Sequence, residues 1–230
     1  MADAPTVRAE HVPGQVQGVY TAPPKGIILH GSRGGAKNVL AEYAGTVNWA
    51  ANNPDGLGWT ATIGPRVYCT HMDARHWAWN AREHSRDFLA VEFAQPALTS
   101  SIPDTMVDAF VAWYWAEVRP VWPLMTPRVL VMPMHSELPA GKRDGKTDAF
   151  KADSAQAKDL RARIYAALEV NGNPSQFVVG PGVQAALDRA HDVAMGHEVY
   201  VNDALSYTPG RDGLYWYAKA SDAVYRAPKS

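Results

Sequence analysis

The sequence predicts an α/β protein with a central mixed β-sheet flanked by helices, followed by a helical and aromatic-rich extension. Short apolar runs recur at residues 26–29, 58–63, 67–70, 88–93 and 129–134, each bounded by turn residues. Segments of helical spacing lie between them at 36–51 and 103–118. The resulting order of strand, helix, strand, strand, strand, helix, strand belongs to a layered sheet rather than a bundle, and 230 residues suffice for a substantial core.

Residues 1–25 read as an irregular arm, because Pro13, Pro23 and Pro24 break any pattern. Gly26, Ile27, Ile28 and Leu29 form a buried strand that runs into His30. Residues 36–51 place Leu40, Tyr43, Val47 and Ala50 on one helical stripe, and the turn from Asn52 to Gly56 closes it. Residues 58–63 and 67–70 predict a hairpin across Gly64, Pro65 and Arg66. Residues 88–93 predict an apolar strand interrupted by one carboxylate, Glu92. An aromatic-rich helix over 103–118 opens at Pro103 and stops before Pro120. Residues 129–134 predict another buried strand, leading directly into His135. Helices are expected at 153–170 and 182–195, joined through Asn171, Gly172, Asn173 and Pro174. The last part, 198–227, carries Tyr200, Tyr207, Tyr215, Trp216, Tyr217 and Tyr225 between turn residues, as short strands and loops.

The net charge of −1 gives no basic footprint, so nucleic acid is not the expected partner. The one cysteine, Cys69, excludes an intrachain disulfide and a Cys-rich zinc module, and reads as a small core hydrophobe. The first residues lack the basic-then-apolar pattern of a secretory signal, and no run approaches membrane-spanning length. Synthesis in the cytoplasm without membrane insertion is therefore expected. Eight Trp and ten Tyr against five Phe favour amphipathic aromatics, which fill cores and also stack on sugar rings.

The loop from His135 to Phe150 concentrates chemistry: a histidine, carboxylates and lysines in a Gly/Pro-broken segment after an apolar run. A loop at the end of a strand can aim side chains at a substrate. His30, His135 and an aspartate of this loop would bind zinc through two imidazoles and one carboxylate, leaving the fourth position open in a surface cleft. Such a metal lowers the pKa of water and polarises a carbonyl, the two tasks of amide hydrolysis. Glu92, inside an apolar strand, is either a paired structural acid or a functional base. Lys146 is either a surface lysine or a charge for a developing oxyanion. Gly31, Ser32, Arg33, Gly34 and Gly35 lie where backbone amides could hold an anion, but lack the Gly-Lys-Ser/Thr ending of a nucleotide loop. His191 and His197 have no acidic partner at ligand spacing.

Taken in order, the strand ending in His30, the segment from Gly58 to Ile63, the run Ala78-Trp79-Asn80-Ala81, the strand Leu89-Ala90-Val91-Glu92, and His135 followed by Gly145-Lys146-Thr147-Asp148 resemble the zinc N-acetylmuramoyl-L-alanine amidases. This type 2 amidase group includes phage endolysins and peptidoglycan-recognition proteins. The resemblance covers residues 26 to about 150, a span of ordinary domain length. It implies that His30, His135 and Asp148 bind Zn2+, that Glu92 is the general base and that Lys146 stabilises the transition state. It also places Trp59, Trp79 and Asn80 along the cleft of a peptidoglycan or muropeptide substrate. Asn80 stands where the family often has histidine. The loop offers two Lys-x-Asp choices. Asp148 is favoured as third ligand because Gly-Lys-Thr-Asp followed by Phe150 matches the family on more positions, whereas Asp144, nearer the common distance from the histidine, stays open as the alternative.

The implied organisation is an arm (1–25), a zinc amidase catalytic domain (26–152) and an extension (153–230) that binds the cell wall or packs on the catalytic domain. The implied protein is a monomeric, endolysin-like peptidoglycan hydrolase made without a signal peptide and acting on the wall. The alternatives are a non-catalytic peptidoglycan-binding module of the same fold and another zinc amide hydrolase.

Overall fold

The structure is a computed structural model and describes residues 7–171, 205–210, 213–218 and 223–226. The chain forms two compact units, Met1–Val170 and Asn171–Ser230.

In the first unit a five-stranded mixed sheet runs in the order β1 (Arg8–His11), β5 (Val67–Thr70), β4 (Ala61–Gly64), β7 (Leu89–Phe93), β3 (Ile27–Gly31). β4, β7 and β3 are mutually parallel, β5 returns antiparallel to β4 through Pro65 and Arg66, and β1 lies parallel to β5. The minor strands β2 (Gly18–Val19) and β6 (His76–Trp77) pair with each other. The arm expected to be irregular thus supplies the edge strand β1 and the short strand β2.

Alternation along the central strands sorts their side chains into two clusters. Ile27 and Leu29 of β3, with Leu89, Val91 and Phe93 of β7, join the large core. That core is closed by α2 (Asp104–Trp113), whose Met106, Phe110 and Trp113 are buried, and Phe110 stacks on Phe93 with centroids 6.0 Å apart. The helix continues as a π-turn over Tyr114–Val118 and stops before Pro120, as its sequence predicts. Ile28 and Ala90 face the other way, toward a smaller cluster with Ala50 and Trp59. His30 and Glu92 share that second face.

The helix α1 (Val39–Asn52) covers the second face. Asn38 caps it, its side chain accepting from the Ala41 amide. The buried stripe is Glu42, Tyr43, Thr46 and Ala50, whereas Leu40, expected on it, is 63% exposed. The stripe is rotated because Glu42 turns inward to accept from the amides of Gly34 and Ala36 and from the Ser32 hydroxyl.

One expectation changes. Residues 129–134 do not form a buried strand: the segment runs along β3, accepting from Ile27 at Val131 (2.9 Å) and from Leu29 at Pro133 (2.9 Å), with Val129 and Val131 exposed. Pro133 has no amide to give, so the ladder reduces to isolated bridges. The helix expected over 153–170 is present as α4 (Ala155–Asn171), after the short helix α3 (Pro139–Arg143). Its Ala157, Leu160, Ile164 and Leu168 are buried in the large core, so the first compact unit runs past residue 153.

In the second unit, β8 (Leu205–Gly210), β9 (Gly213–Ala218) and β10 (Ala223–Arg226) form an antiparallel sheet in the order β10-β9-β8. The helix expected at 182–195 lies outside the described residues, as do His191 and His197. No helix among the described residues is long and apolar enough to cross a membrane.

Candidate active site

His30 is placed by β3, one residue beyond Leu29 and therefore on the opposite face from it. His135 opens a 3-10 turn (His135–Glu137), tied by the Met134 amide donating to Glu137 (2.9 Å), whose carboxylate is paired with Arg161 of α4 (2.7 Å). The loop then doubles back. The Ser136 amide donates to the Asp148 carbonyl (3.2 Å), and the Ala149 amide donates to the Leu29 carbonyl (3.3 Å). Gly141 is obligatory on this path, because a β-carbon there would collide with the His135 carbonyl.

These ties bring His30, His135 and Asp148 together, with potential ligand atoms all within 4.8 Å of one another. Asp148 Oδ2 lies 3.0 Å from Nδ1 of His30 and 3.0 Å from Nδ1 of His135. The two imidazole centroids are 4.5 Å apart. Burial lowers the pKa of His30, against the opposing bond to Asp148. Burial also works to raise Asp148, but the bonds from His135 and His30 outweigh it and hold the carboxyl well below the usual range. The cluster is thus an ionised carboxylate between two rings, with His30 favouring its neutral form.

The donor set fits a divalent metal. Two ligands of a tetrahedral zinc sit about 3.3 Å apart, given metal–ligand distances near 2 Å, close to the separations seen here. His30 Nε2 is buried and has no hydrogen-bond partner, so the ring retains a nitrogen free to bind a metal. Three protein ligands leave a fourth position open.

Glu92 is the direct partner of His30 in the parallel β3–β7 ladder, and Thr62 of β4 is its partner on the other side. Burial and the charge of Asp148 push the Glu92 carboxyl well above its ordinary value, while Arg33 and Lys146 pull it back.

One cavity reaches the cluster at His135 and a second opens at Glu92. The first, about 790 Å³, is lined by His135, Lys146, Trp79, Asn80, Arg82 and Arg86 among others. The other, about 470 Å³, is lined by Glu92, Trp59, Trp49, Thr46 and Ser32 among others. Lys146, Trp79 and Asn80 therefore meet in the cavity reached by His135, and Trp59 meets Glu92 in the second. Trp59 stacks on Trp49 with centroids 5.4 Å apart and planes at 4°.

A polar relay fixes the Trp59 indole. Its N–H donates to Thr62 Oγ1 (2.8 Å), which lies 2.8 Å from His71 Nε2, and His71 Nδ1 lies 2.8 Å from the Val12 carbonyl. A carbonyl can only accept, so Nδ1 carries the proton and Nε2 accepts from the Thr62 hydroxyl.

The chain shares no match with any family model, and no curated protein matches it. Among solved structures it is similar to the Staphylococcus aureus hydrolase AmiA in complex with its ligand, with a TM-score of 0.50 and 13% identity over 78% of this chain and 90% of that one. What it shares with AmiA is the fold. The catalytic domain of XlyA (TM-score 0.48, 15% identity, 69% of this chain and 99% of that one) is also similar. So is the Ph2119 endolysin from Thermus scotoductus MAT2119 bacteriophage Ph2119 (TM-score 0.40, 13% identity, 67% and 99%). The mixed sheet flanked by helices, common to this chain and AmiA, is the scaffold on which the cluster is built.

The alternative ligand Asp144 stands apart from the cluster, its carboxylate taken by Arg82, while neighbouring Arg143 pairs with Glu83 (2.8 Å). The loop from Gly31 to Gly35 is no open anion site, because Glu42 accepts from the Gly34 amide and the carbonyls of Phe93, Gln95 and Pro96 accept from those of Ser32, Arg33 and Gly35. Cys69 is buried, and burial pushes its thiol up to about 11, as suits an inert core residue. Asn80 turns its amide nitrogen back onto the Ala78 carbonyl (2.9 Å). Sequence reasoning passed over Arg33, whose charge faces both Asp148 and Glu92. It also passed over the relay through Thr62 and His71. Arg33 did carry one signal: it sits on the loop leaving the strand that ends in His30.

Proposed function

We propose that this chain is a zinc-dependent N-acetylmuramoyl-L-alanine amidase, a peptidoglycan hydrolase of the endolysin kind that acts as a monomer on the cell wall. The observation that carries the proposal is the convergence of His30, His135 and Asp148 beside Glu92, which no packing requirement of an apolar strand explains. The motif resemblance supplies the substrate, and the shared fold with the hydrolase AmiA supports it.

His30, His135 and Asp148 would hold the metal. Bound Zn2+ supplies Lewis-acid polarisation of the scissile carbonyl and a water of lowered pKa. Glu92 takes the proton from the attacking water and passes it to the leaving nitrogen as the amide C–N bond breaks, giving the lactyl carboxylate and a free alanine amino terminus. A carboxyl held above its ordinary pKa suits both halves of that transfer. Lys146 presents its ammonium to the side where negative charge develops on the carbonyl oxygen. Trp79 and Asn80 line the larger cavity and Trp59 the smaller, so substrate lies across both.

The test is zinc content together with release of alanine amino termini from purified peptidoglycan, for wild type, His30→Ala and Glu92→Gln. Wild type should bind zinc and release the termini, and His30→Ala should lose both. Hydrolysis that survives His30→Ala, or a wild-type chain that binds no zinc, refutes the mechanism.

A further inference from the structure

Arg33 leaves the end of β3 just past His30 in a left-handed conformation (φ 52°) and is anchored there by its amide donating to the Gln95 carbonyl (2.7 Å). That backbone turn sends the guanidinium across to the other end of the cluster. Nη1 donates to Thr147 Oγ1 (2.6 Å) and Nη2 donates to the Ala149 carbonyl (3.2 Å). Thr147 and Ala149 are the two neighbours of Asp148, so one planar fork grips the chain on both sides of it.

We propose that Arg33 is a positioning residue for Asp148, clamping Thr147 and Ala149 so that the carboxylate is presented to both imidazoles before any metal arrives. The inference rests on reading the cluster as a metal centre. Asp148 follows a turn that contains Gly145 at φ 63°, and such a turn has more backbone freedom to lose than most. The amide bonds of Ser136 and Ala149 restrain the backbone around Asp148, and the Arg33 fork adds a restraint on each flank. An arginine suits this task because its donors are held in a rigid fork, whereas a lysine ammonium sits on a flexible stem. The clamp also brings positive charge beside two carboxylates, Asp148 and Glu92.

The test compares wild type with Arg33→Met, which keeps the aliphatic stem but removes the fork, and with Thr147→Val, which removes one contact and leaves Arg33 in place. Zn2+ affinity is measured by competition with a chelator, and amide hydrogen exchange over residues 146–150 is measured on metal-free protein. Arg33→Met should weaken Zn2+ binding by about ten- to a hundredfold, the usual effect of losing a group that orients a ligand. Thr147→Val should weaken it by a smaller factor, with the melting temperature of its metal-free form unchanged. Both variants should exchange faster over 146–150. Zn2+ affinity within twofold of wild type in both variants overturns the proposal, as does unchanged exchange. A wild-type chain that binds no Zn2+ instead overturns the metal reading, and the exchange comparison still decides whether Arg33 holds the segment.

Discussion

Glu92 and Asp148 are both carboxylates in the same site, and their surroundings give them opposite tasks. Asp148 receives two imidazole bonds and is held ionised, whereas Glu92 is raised by burial and by Asp148 itself. Glu92→Gln should therefore keep bound zinc and lower amide turnover by at least about a hundredfold, the scale of a lost general base. Retained turnover would assign the proton transfer elsewhere. Asp148→Ala should abolish stoichiometric zinc by metal analysis, while Asp144→Ala, which only releases Arg82, should leave it intact. At this scale the sequence was partly legible. His30 and His135 each border an apolar run, which marks them as placed by the scaffold. The choice between Asp144 and Asp148 was not legible, because spacing does not encode which way a glycine-containing loop turns. The partners of Arg33 were illegible for a related reason: they lie 114 and 116 residues away in sequence.

Among the elements, periodicity located β3, β4, β5, β7, α1, α2 and α4, because each has a face that must be apolar. It did less well where hydrogen bonding outweighs hydrophobicity. Glu42 rotates α1 by bonding the loop before it, and Pro133 turns an apolar run into a bridged edge with exposed valines. β1 went unseen because four residues with little apolar content acquire strand structure only from their neighbour β5. The helix α4 has the opposite character, an apolar stripe with its partner inside the first unit. Ile164→Ala should destabilise that unit by about 2–5 kcal/mol in denaturant unfolding, the range for a fully buried large-to-small change. A loss below about 1 kcal/mol would mean that α4 is only loosely attached.

Across the whole molecule, stability should depend on pH through His71. Burial depresses its pKa to about 4, against the opposing bond to Val12, while an unfolded histidine titrates near 6.5. Between those values the unfolded chain binds the extra proton, so stability rises with pH. The contribution is complete above about pH 6.5 and is lost as pH falls toward 4, at most about 3 kcal/mol for this shift. Thermal melts of wild type and His71→Gln across that window should converge at low pH; parallel curves would remove His71 as the cause. Truncation separates the units. A chain ending at Asn171 should stay folded, whereas one ending at residue 152 exposes the core beneath α4 and should aggregate. If the longer truncation also loses sedimentation with peptidoglycan, the wall-binding role of the C-terminal unit gains direct support; sedimentation equal to that of the full chain removes it.

The pairing of His30 with Glu92 has a consequence for how errors are rejected. Neighbouring strands lie about 4.8 Å apart and a shift of one residue sends every side chain to the other face. Were β7 to slip by one position against β3, Glu92 would enter the space of Val91 in the large core, and Phe93 would stand beside the histidine. Burying a carboxylate there costs far more than a marginally stable domain can bear. The oily face of the sheet therefore acts as a proofreader for the polar one, and molecules that fold at all fold with His30 and Glu92 already side by side.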